Sequence, residues 1–305
     1  MVQIMQKRKI KKYRKRDYMG LVYIAPWLLG FLLLQLYPFV SSFIYSFTDY
    51  KFFNEPSFVG LKNYIRLFKL DPEFWGSLKV TLLYTVITVP GKLTMALFIA
   101  TLLNRNVKGI GAIRTIYYLP SLFGGSVAVA ILWKILFMSD GAINNILSSI
   151  HLPTVQWLGN GKSAVVTICM LEIWQFGSSM VMFLAALKQV PASLYEAASL
   201  DGAGSVKKFF SITLPQITPI IFFNLIMQTI TALQNFTSAF VVTGGGPNKA
   251  TYVLGMKLYT DAFGYYKMGY ACATSWVIFA MVMVVTLLLF RFSSGKIYYE
   301  DGGDF

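Results

Sequence analysis

The chain has 305 residues, 56% of them hydrophobic and 13% charged, with a mean hydropathy of +0.58. Soluble domains carry about 25% charged residues, so this is a membrane composition, spread along the whole chain as one helical bundle requires. The formal charge of +14 does not signal nucleic acid, because eight of the bases lie in one run at 7–16 and no basic face recurs.

Residues 1–20 form a basic N-terminus. Such a run just before an apolar helix holds an N-terminus in the cytoplasm and touches anionic lipid. No charge occurs from Tyr18 to Thr48. That stretch is too long for the apolar part of a cleaved signal, and no A-x-A-like site ends it early. Crossing ~30 Å of hydrocarbon takes about 20 helical residues. Six segments reach that length, at about 21–47, 78–103, 115–138, 163–187, 214–242 and 269–290.

Between the first two spans, Phe58, Leu61, Ile65 and Phe68 recur at helical spacing, which predicts a short amphipathic helix at the outer interface. Trp75 fits the aromatic belt at the mouth of the second span. Lys92 lies well inside that span and Glu172 well inside the fourth, whereas Lys134 is near the outer end of the third and can snorkel. Gly161-Lys162-Ser163 looks like the tail of a phosphate-binding loop, but Gln156 stands where the first glycine is required and no strand precedes it. No nucleotide site is expected in this chain. Cys169 and Cys272 fall in apolar runs and read as small buried residues. With one histidine, His151, no metal-ligand spacing appears, and no cofactor is expected.

The basic residues orient the bundle. With the N-terminus inside, the inner segments hold sixteen Lys and Arg and the outer ones eight. The predicted architecture is an all-α membrane protein with six spans over 21–290, both ends in the cytoplasm and a cytoplasmic tail at 291–305. The segment 188–213 then lies inside the cell. Pro191 precedes ASLYEAASL, Gly202 and Gly204 permit a sharp turn, and VKKFFSI forms a second short helix before Pro215 opens the fifth span. Ala197, Ala198 and Ala203 let a partner approach the backbone closely. Leu194 and Tyr195 supply apolar contacts, and Glu196 and Asp201 could pair with cations.

This loop resembles the coupling loop of the membrane subunits of binding-protein-dependent ABC importers. Glu196, Ala197, Ala198, Asp201, Gly202, Ala203, Phe209, Ile212, Leu214 and Pro215 carry the resemblance. A second element, TGGGPNKAT at 243–251, resembles the TGGGP loop of carbohydrate-importer permeases of the maltose and glycerol-phosphate type. The likeness extends over nearly the whole chain after about residue 21. It implies that Leu194, Tyr195, Glu196, Ala197, Ala198, Asp201, Gly202 and Ala203 seat in a cytoplasmic ATPase subunit and that Gly244, Gly245, Gly246 and Pro247 contact a loaded external binding protein. It further implies a plasma-membrane location, a paralogous second permease making a heterodimer, two ATPase subunits and a carbohydrate substrate, expected to be an oligosaccharide.

Charge at mid-bilayer is costly, so Glu172 and Lys92 either pair internally or Glu172 lines a watered cavity. Trp174, Gln175 and Ser178 on the fourth span, with Gln228, Gln234 and Asn235 on the fifth, offer the aromatic faces and hydrogen-bond groups a sugar needs. The same polar groups also join membrane helices to one another. A secondary transporter driven by an ion gradient is the alternative. It predicts broken helices, internal repeats and midplane carboxylates, and leaves the cytoplasmic loop unexplained. A membrane-embedded enzyme would need clustered acids or a nucleophile–base pair, which are not seen.

Overall fold

The computed structural model describes residues 19–293 apart from positions 53 and 106. The basic run at 7–16 and the acidic tail lie outside the described residues. The helices are α1 Val22–Ser46, α2 Lys62–Lys69, α3 Pro72–Leu103, α4 Ile110–Leu122, α5 Val127–Leu136, α6 Ala142–Ser149, α7 Gly161–Trp174, α8 Gly177–Gln189 and α9 Ala192–Leu200. They continue with α10 Ser205–Gln216, α11 Thr218–Leu233, α12 Leu254–Tyr259 and α13 Met268–Ser293. Among the described residues, extended pairing is confined to two isolated bridges, Thr48 to Phe58 and Lys51 to Asn54.

Three helices, α1, α3 and α13, are long and apolar enough to cross a bilayer unbroken. The other three spans are bent pairs. The helices α4 and α5 meet at 100°, α7 and α8 at 44°, and α10 and α11 at 67°. The sequence predicts a straight third span, but Gly124 and Gly125 interrupt it, and Gly125 has φ +72°, a conformation that terminates a helix. The second helix of the cytoplasmic loop also runs further than predicted. It takes in Pro215 and ends at Gln216, so the second limb of the bent fifth span, α11, opens at Thr218.

The core lies between α3 and the fourth span. Tyr84, Ile168, Leu171, Met180 and Phe183 are all within 2% of full burial there. Ala96 and Ala100 on α3 are wholly buried, and small residues of this kind let membrane helices pack backbone to backbone. The outer end of α3 is well defined: Asp71 caps it by accepting from the Glu73 and Phe74 amides, with Pro72 in the first turn. The first span is peripheral. It lies against α13, where Phe39 and Phe43 meet the Trp276 ring at 4.8 and 4.6 Å. Trp276 donates to the Ser42 hydroxyl. Its remaining surface, including Trp27, Leu33 and Leu34, is apolar and exposed.

Candidate functional site: a polar cavity at three helix breaks

Inside the bundle lies a cavity of about 350 Å³. Its wall is built where three spans lose their helical path. Gly124 and Gly125 come from the third span, Gln175 from the break in the fourth, and Gln234, Asn235 and Thr237 from the end of α11. Irregular backbone at membrane depth is tolerated only where it lines a watered cavity or is buried in protein. Carbonyls and amides freed from the helix ladder add hydrogen-bonding groups to the wall.

Lys92 from α3 and Glu172 from α7 face each other across one side, Nζ to Oε2 4.0 Å, with side chains 10% and 19% exposed. The sequence leaves pairing and cavity lining as alternatives for Glu172, and the structure shows both at once. Gln228 donates to the Ser179 hydroxyl at 3.3 Å. Ser238 donates to Asn235 Oδ1 at 2.8 Å, while Asn235 Nδ2 is buried without a hydrogen-bond partner among the described residues. A buried amide donor left open beside a polar cavity is suited to water or a hydroxylated ligand.

Of the seven pathway residues read from the sequence, Glu172, Gln175, Ser178, Gln228, Gln234 and Asn235 are brought together on this wall. Trp174 is not. It lies off the cavity wall, its ring tilted at 35° to that of Trp133 with centroids 5.5 Å apart, beside Tyr117 and Phe123. Thr88, Ser121 and Thr231 line the cavity as well. Sequence reasoning missed them because isolated hydroxyls in an apolar helix carry no positional signal.

On the cytoplasmic side, α9 and α10 form a helix–turn–helix. Gly202 makes the turn with φ +72°, and Ala203 N donates to Ala198 O at 2.9 Å. Leu194, Glu196, Ala197, Asp201 and Gly202 are exposed, and Ala198 and Ala203 are half-buried. Tyr195 is used partly within the loop, its hydroxyl bonded to that of Thr213 at 2.8 Å. Three apolar side chains not singled out from the sequence also stand in the open: Leu200 is 90% exposed, Val206 73% and Phe210 61%.

On the outer side the glycine loop is tightly held. Thr251 donates to Gly246 O at 2.9 Å and shares a hydrogen bond with Thr243 at 2.7 Å. Gly244 and Gly245 both have positive φ, and Pro247 follows. Lys249 pairs with Glu73 and ties the loop to the start of α3. Beside it is a buried ionic cluster that no sequence spacing announces. Lys257 lies 2.6 Å from Asp71 and 3.0 Å from Asp261, and Tyr270 donates to Asp71. Burial alone would raise the Asp71 carboxyl, but hydrogen bonds from Lys257 and Tyr270 outweigh it and hold the group below its usual range. Asp261 is shifted the other way, upward, because burial outweighs its attraction to Lys257. The difference follows distance and exposure, since Asp71 is nearer the ammonium and less buried.

The comparisons with known proteins agree with this architecture. Residues 92–294 match the family described as binding-protein-dependent transport system inner membrane component. A probable ABC transporter permease, YesP of Bacillus subtilis, is 46% identical over 96% of both chains. The trehalose/maltose transport permease MalF of Thermococcus litoralis is 34% identical over 93% of this chain and 96% of its own. Among solved structures, a chain of a bacterial alginate ABC transporter, crystallised with an alginate pentasaccharide-bound periplasmic protein, superposes with a TM-score of 0.79. It has 24% identity and covers 92% of this chain and 95% of its own, which supports the fold. The chain is therefore a multi-pass plasma-membrane protein and belongs to the family of binding-protein-dependent transport system inner membrane components.

Proposed function

We propose that this chain is the permease subunit of an ABC importer that carries a carbohydrate, an oligosaccharide, delivered by an external binding protein. A paralogous permease completes the membrane passage, and two separate ATPase subunits supply the energy. The relatives named for maltose, lactose and sulfoquinovosyl glycerol support the substrate class. The observation that carries the reading is the exposed helix–turn–helix at Ala192–Gln216, directly continuous with the bent fifth span that lines the cavity. Leu194–Ala203, with the exposed Leu200 among them, seats in the ATPase, joined by Val206 and Phe210. Movement of that seat rocks α10 about the 67° bend at Ile217. ATP can bias the bundle only through a contact that differs between its two states.

Within the passage, Gln175, Ser178, Gln228, Gln234 and Asn235 exchange hydrogen bonds with sugar hydroxyls. Glu172 and Lys92, charged together, keep the wall polar without net charge. Gly244–Pro247 meets the binding protein. Discontinuous helices also occur in gradient-driven transporters, so the breaks alone do not separate the two mechanisms; the cytoplasmic loop does. The test is co-purification of the ATPase subunits with the wild-type chain and with Gly202→Asp. Retention by wild type and loss in the variant, with the membrane protein still inserted, is expected. A wild-type chain that retains no ATPase in mild detergent would remove the importer reading.

A further inference from the structure

On the outer surface, the segment that follows α1, the helix α2 and the start of α13 enclose a pocket of about 270 Å³, which shares Tyr270 with the buried ionic cluster. Four cations line it: Lys51, Lys62, Arg66 and Lys267. Among the described residues none of the four has a carboxylate within ion-pair distance. The one acid in the lining, Asp49, is engaged by Ser57, which donates to it from backbone at 2.9 Å and hydroxyl at 2.8 Å. The floor is rigid. Asn63 is buried and donates to the Ser46 and Thr48 carbonyls, and Gly269 N donates to Tyr50 O. Two of the cations are held over aromatic rings, Arg66 over Tyr270 at 5.4 Å and Lys267 over Tyr265 at 5.0 Å.

The helix α2 adds a second, independent feature. Asn63 and Leu67 face the protein, and Lys62 and Arg66 form the next stripe toward the pocket. Beyond them Leu61, Ile65 and Phe68 form an exposed apolar stripe. The pocket lies beside the outer ends of two membrane-crossing helices, α1 and α13, and aromatic residues such as the half-exposed Trp75 on the neighbouring α3 favour the headgroup region. A basic stripe beside an apolar one suits a ligand with an anionic head and hydrocarbon tails. An acidic protein surface would satisfy the cations and leave the apolar stripe bare.

We propose that this pocket binds the phosphate of an anionic glycerophospholipid of the outer leaflet, with its acyl chains along Leu61, Ile65 and Phe68. The full-length chain in mild detergent would be titrated with phosphatidylglycerol and with phosphatidylcholine of the same acyl length, and bound lipid read by native mass spectrometry. Wild type is expected to retain phosphatidylglycerol preferentially. Each charge removed in Lys62→Gln and Arg66→Gln should lower that retention about fivefold. Asp49→Asn, which keeps the Ser57 contacts and removes the opposing charge, should raise it by a similar factor, a gain that misfolding cannot produce. Equal retention of the two lipids, or a double variant that binds like wild type, would overturn the proposal. So would full displacement of the lipid by millimolar inorganic phosphate, which marks a free-anion site. Unchanged lipid binding with weakened, salt-sensitive affinity for the external binding protein would reassign the patch to a protein partner.

Discussion

Glu172→Gln keeps the shape of the side chain, removes its charge and leaves the Lys92 ammonium facing the cavity alone. At 4.0 Å and an effective dielectric of about 20, the pair attracts by ~4 kcal/mol. Breaking a buried pair from one side costs about 3–5 kcal/mol, because the orphan stays desolvated. Here the low end applies, about 3 kcal/mol, since the orphan can turn toward the cavity. Lys92→Met should cost as much for the mirror reason. The double variant should lose only ~2 kcal/mol, which gives a coupling of about 4 kcal/mol in a double-mutant cycle. Unfolding in mixed micelles, titrated with a denaturing detergent and followed by tryptophan fluorescence, reads all four proteins. Single losses that add to within ~0.5 kcal/mol would show that the two charges do not interact and would refute the pairing.

Gly269 fits where no side chain can: a Cβ there would stand 2.2 Å from Thr48 O and 3.0 Å from Tyr50 N. Gly269→Ala should therefore separate the sixth span from the end of the first and cost about 1–3 kcal/mol by the same unfolding assay. Lys257→Met leaves Asp71 and Asp261 without their shared cation and should destabilise by roughly 3–5 kcal/mol at neutral pH. The pH profile follows from the shifts. Burial opposes the charge on Lys257, but its bonds to Asp71 and Asp261 outweigh that and raise it. Its contribution is thus full below the ordinary lysine range, near ~10.4, and is lost as pH rises through the raised value. Asp71, lowered, contributes above ~3.9 and loses its contribution as pH falls through its depressed value. Asp261, raised, opposes the Asp71 trend by taking up a proton earlier on acidification. The alkaline loss should vanish in Lys257→Met, as read by unfolding between neutral and strongly alkaline pH.

Much of this was open to view in the sequence. Bilayer thickness imposes a length on every apolar run, so six spans could be counted, and the Lys/Arg asymmetry oriented them. The turn at Gly202 was legible because only a glycine between two helix-forming stretches suits a left-handed residue. The 100° break in the third span was not foreseen, since hydropathy is blind to direction and Gly124-Gly125 sits in an unbroken apolar run. The same blindness misplaced Trp174. The last residue of α7, immediately before the break at Gln175, it stands off the cavity wall, while Gln175 lines it. The Lys257–Asp71 pair joins residues far apart in the chain, and no spacing rule can find such a contact. The apolar face of α2 was expected at the outer interface, and Leu61, Ile65 and Phe68 are exposed there. The basic pocket behind it needed three separate segments to be assembled.

The most direct test is uptake of a labelled oligosaccharide into proteoliposomes that hold the permease pair with its ATPase subunits, with the loaded binding protein outside. Accumulation is expected only with ATP on the ATPase side and binding protein present, and Gln234→Ala with Asn235→Ala should cut it at least tenfold. Accumulation that follows a proton or sodium gradient, without ATP or binding protein, would contradict the account and establish the gradient-driven mechanism instead.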